Sequence, residues 1–213
     1  MKFKALIPAI AVATTLAITA QPASAVQKGD WLLRFGLVNV SPNDGSDASS
    51  SLGLPADAIG VEDNTQLYIN ATWMFTDNLG LDILGATPFT HDITLNGTKV
   101  GDTQHLPPTV GIQYHFTPKS NVRPYVGAGI NYTTFFSEST TGPLAGADLS
   151  LDDSWGLAAQ VGVDVDINKD WFFNADLRYM NIETTATLSG AVNGTVDVQI
   201  NPWVYSLGVG TRF

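Results

Sequence analysis

Apolar and polar residues alternate one by one through most of this chain. The alternation occupies residues 31–40, 66–75, 79–87, 105–116, 123–136, 154–167, 171–185 and 196–213. The segment 154–167 shows it best. Trp155, Leu157, Ala159, Val161, Val163 and Val165 share one face, and Gly156, Ala158, Gln160, Gly162, Asp164 and Asp166 the other. A period of two is that of a β-strand with two different faces. Eight such segments between turn residues predict an all-β fold, a sandwich or a barrel.

Three features choose a transmembrane barrel. The polar face is also the small face, carrying Gly36, Gly80, Gly111, Gly127, Gly129, Gly162, Gly208 and Gly210 beside Asp, Asn, Gln and Arg. Such a face suits the narrow inside of a small barrel, whereas a soluble barrel would be apolar within. Aromatic residues mark the ends of the apolar face: Trp31, Trp73, Tyr114, Phe116, Trp171 and Phe213 at one end, Tyr132, Trp155, Tyr179 and Trp203 towards the other. Two aromatic girdles around an apolar band match the two bilayer interfaces. Short turns (Thr76-Asp77-Asn78, residues 117–122, Asn168-Lys169-Asp170) alternate with long loops at 41–63, 88–104, 137–152 and 186–195. The expected fold is an eight-stranded antiparallel transmembrane β-barrel with short periplasmic turns and long extracellular loops.

The first residues assign the compartment. Lys2 and Lys4 precede an apolar run from residue 5 to 20, and Ala23-Ser24-Ala25 supplies a small-residue cleavage box. Residues 1–25 are expected to be a cleaved signal peptide and 26–213 the barrel. Beyond residue 25 no apolar run approaches the roughly 18 residues a membrane helix needs, so any membrane crossing is by strands. The formal net charge of −10 argues against a nucleic-acid partner. With no cysteine there is neither a disulfide nor a thiolate metal site. Counting back by two from Phe213 gives Thr211, Val209, Leu207 and Tyr205 on the outward face. A strand ending in Phe213 resembles the signal read by the barrel assembly machinery, an expected partner together with outer-membrane lipids.

Several stretches carry a resemblance: Asn64-Thr65-Gln66-Leu67, Thr76-Asp77-Asn78, Ala86-Thr87-Pro88-Phe89, His105-Leu106-Pro107-Pro108-Thr109, Arg123-Pro124-Tyr125-Val126-Gly127-Ala128-Gly129-Ile130-Asn131-Tyr132, Asp153-Ser154-Trp155-Gly156, Asp170-Trp171 and Asn201-Pro202-Trp203. In order and spacing they resemble the outer-membrane protein W family, which includes alkane-uptake porins. The resemblance implies a passive channel for small hydrophobic solutes, with a narrow apolar tunnel entered from outside and release sideways into the membrane. It implies no reaction, cofactor or metal. Leu84 matches a leucine that narrows the tunnel in mid-barrel. A tryptophan sometimes found as its partner falls at Arg178, a departure that points to a polar plug.

Parity turns Arg34, Asp82, Asp164, Asp176, Arg178 and Arg212 inward. Unpaired charges are costly there, so they are expected to pair, either as a plug or as an ionic core that only fixes packing. Pro107-Pro108 removes two ladder donors within a strand. With Pro88 on the neighbouring strand, it marks a lateral exit or a local bulge without a gap. Leu52, Leu54, Ile59, Phe89 and Leu95 are expected to line an outer funnel. His91, Asp92 and His105 near the outer strand ends, with loop serines Ser137 and Ser139, leave a lipid-modifying hydrolase as one rival. A surface receptor or structural, stress-response barrel with a closed lumen is the other.

Overall fold

The computed structural model describes residues 25–213; the expected signal peptide lies, but for Ala25, outside the described residues. Eight antiparallel strands form the barrel. They are β1 (Trp31–Ser41), β2 (Asn64–Met74), β3 (Leu79–Ala86), β4 (Thr109–His115), β5 (Val122–Thr140), β6 (Ser154–Asp166), β7 (Trp171–Met180) and β8 (Trp203–Arg212). Each pairs with its neighbours in the chain, and β8 returns to β1 through Leu32↔Arg212 to Ser41↔Trp203. The ring therefore has no free edge, which is what hydrocarbon requires of backbone N–H and C=O groups.

The predicted faces hold. Leu67, Ile69, Leu157 and Leu207 point outward and are 55–73 % exposed, as lipid-facing residues are when no lipid is present. At the short-turn end Trp31 lies 6.4 Å from Trp73, and Tyr114 lies 5.1 Å from Phe116. At the other end Tyr132 and Trp155 (4.6 Å) and Tyr179 and Trp203 (5.2 Å) form the second girdle. Val26, Leu32, Met74 and Phe172 pack together at the short-turn end, and the Val26 N–H donates to the Pro118 carbonyl at 2.8 Å.

Three of the predicted segments are interrupted at the level of the second girdle. Segment 105–116 divides into Thr98–Leu106 and β4 at Pro107-Pro108, neither of which has an N–H to donate. Segment 171–185 divides into β7 and Glu183–Gly190, and 196–213 into Gly194–Gln199 and β8. The last break falls at Asn201, at φ 37°, followed by Pro202. Above these breaks the long connections are themselves sheet. Phe89–Leu95 and Thr98–Leu106 form a hairpin against the extended β5, and Ala147–Leu151, Glu183–Gly190, Gly194–Gln199 and Gly45–Ser46 form a second, four-stranded sheet. Threonine, serine and glycine on both faces blur the alternation there.

One glycine pair lets the wall coil tightly. Gly111 and Gly129 are opposite each other on β4 and β5, and a Cβ on Gly129 would stand 2.4 Å from the Val110 carbonyl oxygen and 2.7 Å from the Gly111 Cα. These are ladder atoms that cannot step aside. Gly129→Ala is expected to lower barrel stability by about 1–3 kcal/mol, the usual cost of overpacking. Gly85→Ala, whose Cβ meets nothing nearer than 3.9 Å, serves as the control and stays within about 0.5 kcal/mol. Urea titration followed by heat-modifiable gel migration reads both.

Candidate functional site

The lumen of the barrel carries four arginines and four aspartates, and it is packed rather than open. Arg34 on β1 reaches across to Asp164 on β6 through two parallel bonds, Nε–Oδ1 at 3.0 Å and Nη2–Oδ2 at 2.8 Å. Its Nη1 donates to Asn70 (2.9 Å) and Thr72 (2.7 Å), and its guanidinium lies over the rings of Tyr125 and Phe172. Bidentate pairing of this kind is the strongest an arginine makes. Asp82 on β3 accepts from Asn70, Thr72 and Gln113 at 2.7–3.0 Å and from Gln160 and Arg178 at 3.2 Å. Asp176 accepts from the Tyr125 hydroxyl at 3.0 Å and lies 3.7 Å from Arg178. Towards the short-turn end Asp166 bridges Arg123 (2.6 Å) and Arg212 (3.2 Å).

All six charged residues expected from parity are thus inside and paired. Arg123 and Asp166 join them without having been singled out, although Arg123 shares parity with the inward Tyr125, and Asp166 with Asp164. The voids between these groups measure at most about 10 Å³ each. A water needs roughly that much or more, so each of these two voids holds one water at most.

Above the charges lies an apolar layer. Val38, Val40, Leu84, Ala86, Phe89, Pro107, Met180 and Val204 surround a gap of about 10 Å³. Leu84 is its boundary residue, because it also lines the small void that contains Arg178, Tyr125 and Asp176. Leu84 and Arg178 therefore do meet in mid-barrel. Phe89 belongs to this buried layer, at 1 % exposure, and lies beneath the funnel instead of in its wall.

At the same level the wall loses its ladder. Pairing of β3 with β4 stops at Leu84↔Thr109 and resumes above at Phe89↔His105, leaving 85–88 and 106–108 outside the register. Pro88, Pro107 and Pro108 all fall in this stretch. On the opposite side the carbonyls of Pro107 and Pro108 are held by β5: Asn131 Nδ2 donates to both, and the Tyr132 N–H donates to Pro108. The register also skips 107–108 on the β5 side, between Leu106↔Thr134 and Thr109↔Asn131, but there these carbonyl bonds span the gap.

Over the apolar layer the two extramembrane sheets enclose a cavity of about 170 Å³. Leu52, Leu54, Ile59 and Leu95 line it, as expected, together with Leu149, Leu188, Val196 and Val198 from the second sheet. His91 and His105 are its polar landmarks. Their rings lie 4.7 Å apart, His105 packs edge-on to Phe89 and Phe135, and each residue is 1 % exposed. His91 Nδ1 lies 2.5 Å from the Glu62 carbonyl oxygen, and neither Nε2 has a partner. Asp92 does not join them, pairing at 2.7 Å with Lys99 on the outside. Ser137 and Ser139 lie exposed on the β5 extension. Among the described residues there is no group of three or more metal-binding side chains.

Burial pushes His105 down to about 3, with the nearby His91 adding to the fall. Burial also lowers His91, against the opposing pull of the Glu62 carbonyl, Asp63 and Asp92. As pH drops below 6.5 an opened hairpin takes up protons that the closed one refuses, down to about 3. Acidification from about pH 7 to about pH 4 is therefore expected to weaken closure. Amide protection in Phe89–Leu95 and Thr98–Leu106, corrected for intrinsic exchange, should fall, and His105→Phe should blunt the effect. Within the lumen, Asp82→Ala leaves Arg178 without its partner at 3.2 Å and should cost about 3–5 kcal/mol of barrel stability, read by urea titration.

Comparison with known proteins agrees with this architecture. Residues 27–213 match the model of the OmpW family. Outer membrane protein W of Vibrio cholerae is 47 % identical over 213 residues, covering 95 % of this chain and 97 % of that one. The protein of the same name from Escherichia coli K12 is 43 % identical over 217 residues, covering 99 % of each. The crystal structure of the outer membrane protein OprG from Pseudomonas aeruginosa superposes with a TM-score of 0.83 at 37 % identity, over 90 % of this chain and 99 % of that one. The chain belongs to the OmpW family of Gram-negative outer-membrane β-barrels.

Proposed function

We propose that this barrel admits small hydrophobic molecules from outside and releases them sideways into the outer membrane. The observation that carries the reading is the order of layers along the barrel axis. An apolar cavity of about 170 Å³ lies on an apolar layer, and that layer lies on a closely packed ionic core. The cavity is close in size to an engineered apolar cavity of about 150 Å³ that takes up benzene. A solute that leaves water there gains roughly 25 cal/mol for each Å² of apolar surface it buries. Below Leu84 it meets paired charges, whose separation would cost several kcal/mol. The adjacent way out is through the wall, at the unpaired stretch containing Pro88, Pro107 and Pro108. The ionic core then acts as the floor that diverts the solute and stops ions.

The packed lumen alone also suits a receptor or structural barrel, and one experiment separates the two. Cells lacking the protein and cells expressing it are compared for uptake of a medium-chain apolar solute, beside Leu84→Asp and Leu54→Asp variants that insert normally. Expression should raise the initial rate severalfold. Either carboxylate should return it to background, since a charge in an apolar site costs several kcal/mol. Uptake that does not depend on the protein would remove the channel reading and leave the closed barrel.

A further inference from the structure

The cavity is apolar except at its histidines, and those histidines are chemically incomplete. The remaining lining hydroxyl donors are already engaged: Thr184 Oγ1 donates to the Asp152 carbonyl at 2.7 Å and Thr103 Oγ1 to the Gln104 carbonyl at 3.3 Å. His91 and His105 instead each retain an Nε2 without any partner. Leaving a buried polar atom unsatisfied is costly, and a native structure rarely tolerates two side by side without a reason.

The tautomer of His91 is dictated by its neighbour. A carbonyl oxygen only accepts, so the Nδ1 facing Glu62 carries the hydrogen. In the neutral ring Nε2 is then a bare acceptor that needs a donor. His105, 4.7 Å away, is also neutral at ordinary pH and has one N–H of its own to give. With the His105 hydrogen on Nε2, the pair calls for a group that donates one hydrogen bond and accepts another. A hydroxyl does both. A hydrocarbon does neither. A carboxylate only accepts, and it would also approach Asp63 and Asp92, beside His91, on a chain of net charge −10.

We propose that His91 and His105 form a hydroxyl-recognition subsite, and that the preferred solute is a small apolar molecule bearing one hydroxyl group, such as a phenol. The inference rests on the uptake reading and sharpens it from apolar solutes in general to this class. Both nitrogens are buried, so a ligand would reach them by parting the side chains that cover them. The apolar body contributes affinity, and the imidazoles contribute selectivity.

Phenol and toluene are near-isosteres that differ by hydroxyl against methyl. Their affinities for the full-length mature barrel in phospholipid nanodiscs are measured for the wild type and for His91→Leu. The ratio of the two affinities cancels differences in partitioning when compared between proteins. The wild-type ratio should favour phenol by about fivefold to tenfold over the His91→Leu ratio, the value of one net hydrogen bond. A second measurement needs no variant: the 15N resonance of the unprotonated His91 Nε2 should move upfield on saturation with phenol and stay in place with toluene. An unchanged ratio, or a 15N response that is the same for both ligands, overturns the hydroxyl subsite while toluene binding upholds the uptake reading. Failure of both ligands to bind overturns the uptake reading and the subsite with it.

Discussion

An eight-stranded barrel encloses a lumen too narrow for bulk water, so each charge it contains must meet a counter-charge inside the wall. The rest of this structure depends on that constraint. Arg34 spans the lumen to Asp164 because β1 and β6 face each other across the ring. Asp82 draws Asn70, Thr72, Gln113, Gln160 and Arg178 into one network from five other strand positions. The bonds of Arg34 to Asp164 and of Gln160 and Arg178 to Asp82 cross the barrel, whereas those of Asn70, Thr72 and Gln113 to Asp82 tie neighbouring strands. The crossing bonds fix which strands stand opposite one another, and with the ladder they tie the lower barrel together both around and across its axis.

That block decides where everything else can be. Polar side chains fill the lumen up to Asp176 and Arg178, and apolar ones take over at Leu84, Val38 and Met180. The change of chemistry occurs where β4 loses its partner on the β3 side and where β7 and β8 give way to the outer sheet. Above it the chain no longer faces lipid on one side and a crowded lumen on the other. The strands can then separate into two sheets with an apolar space between them.

The fold was legible because period two is a property of the extended backbone itself. Parity placed Arg34, Asp82, Asp164, Asp176, Arg178 and Arg212 inside without any knowledge of their partners. The partners were not legible. Arg34 and Asp164 are 130 residues apart in sequence, and alternation carries no information on which strand lies across the ring. Arg123 escaped notice because it sits at a strand end where the alternation gives way to a turn, and Asp166, although alternation set it on the polar face, was not named among the inward charges. The proline pair announced its interruption correctly because a missing N–H is a local fact. The outer sheets were only half legible: 105–106, 183–185 and 196–199 read as continuations of barrel strands and the rest as loops, since alternation does not mark where a strand leaves the barrel. Phe89 was assigned to the funnel on hydrophobicity alone; in the structure it is buried in the apolar layer with Val38, Leu84 and Met180.

The position of Arg178 ties these observations together. A bulky apolar residue there would extend the apolar layer downward and let a solute sink past Leu84. The guanidinium instead sits at the boundary, donating to Asp82 and Gln160 while two of its other nitrogens, Nε and Nη1, lack hydrogen-bond partners. An arginine incompletely bonded at the top of an ionic block still presents charge to whatever lies above it. Apolar surface descending from the cavity therefore meets desolvated charge at Leu84, one strand position before the charges are fully paired. On the uptake route proposed above, an apolar solute would stop at the layer of Phe89, Ala86 and Pro107, beside the stretch of wall without a ladder, and Arg178 would set that depth from below.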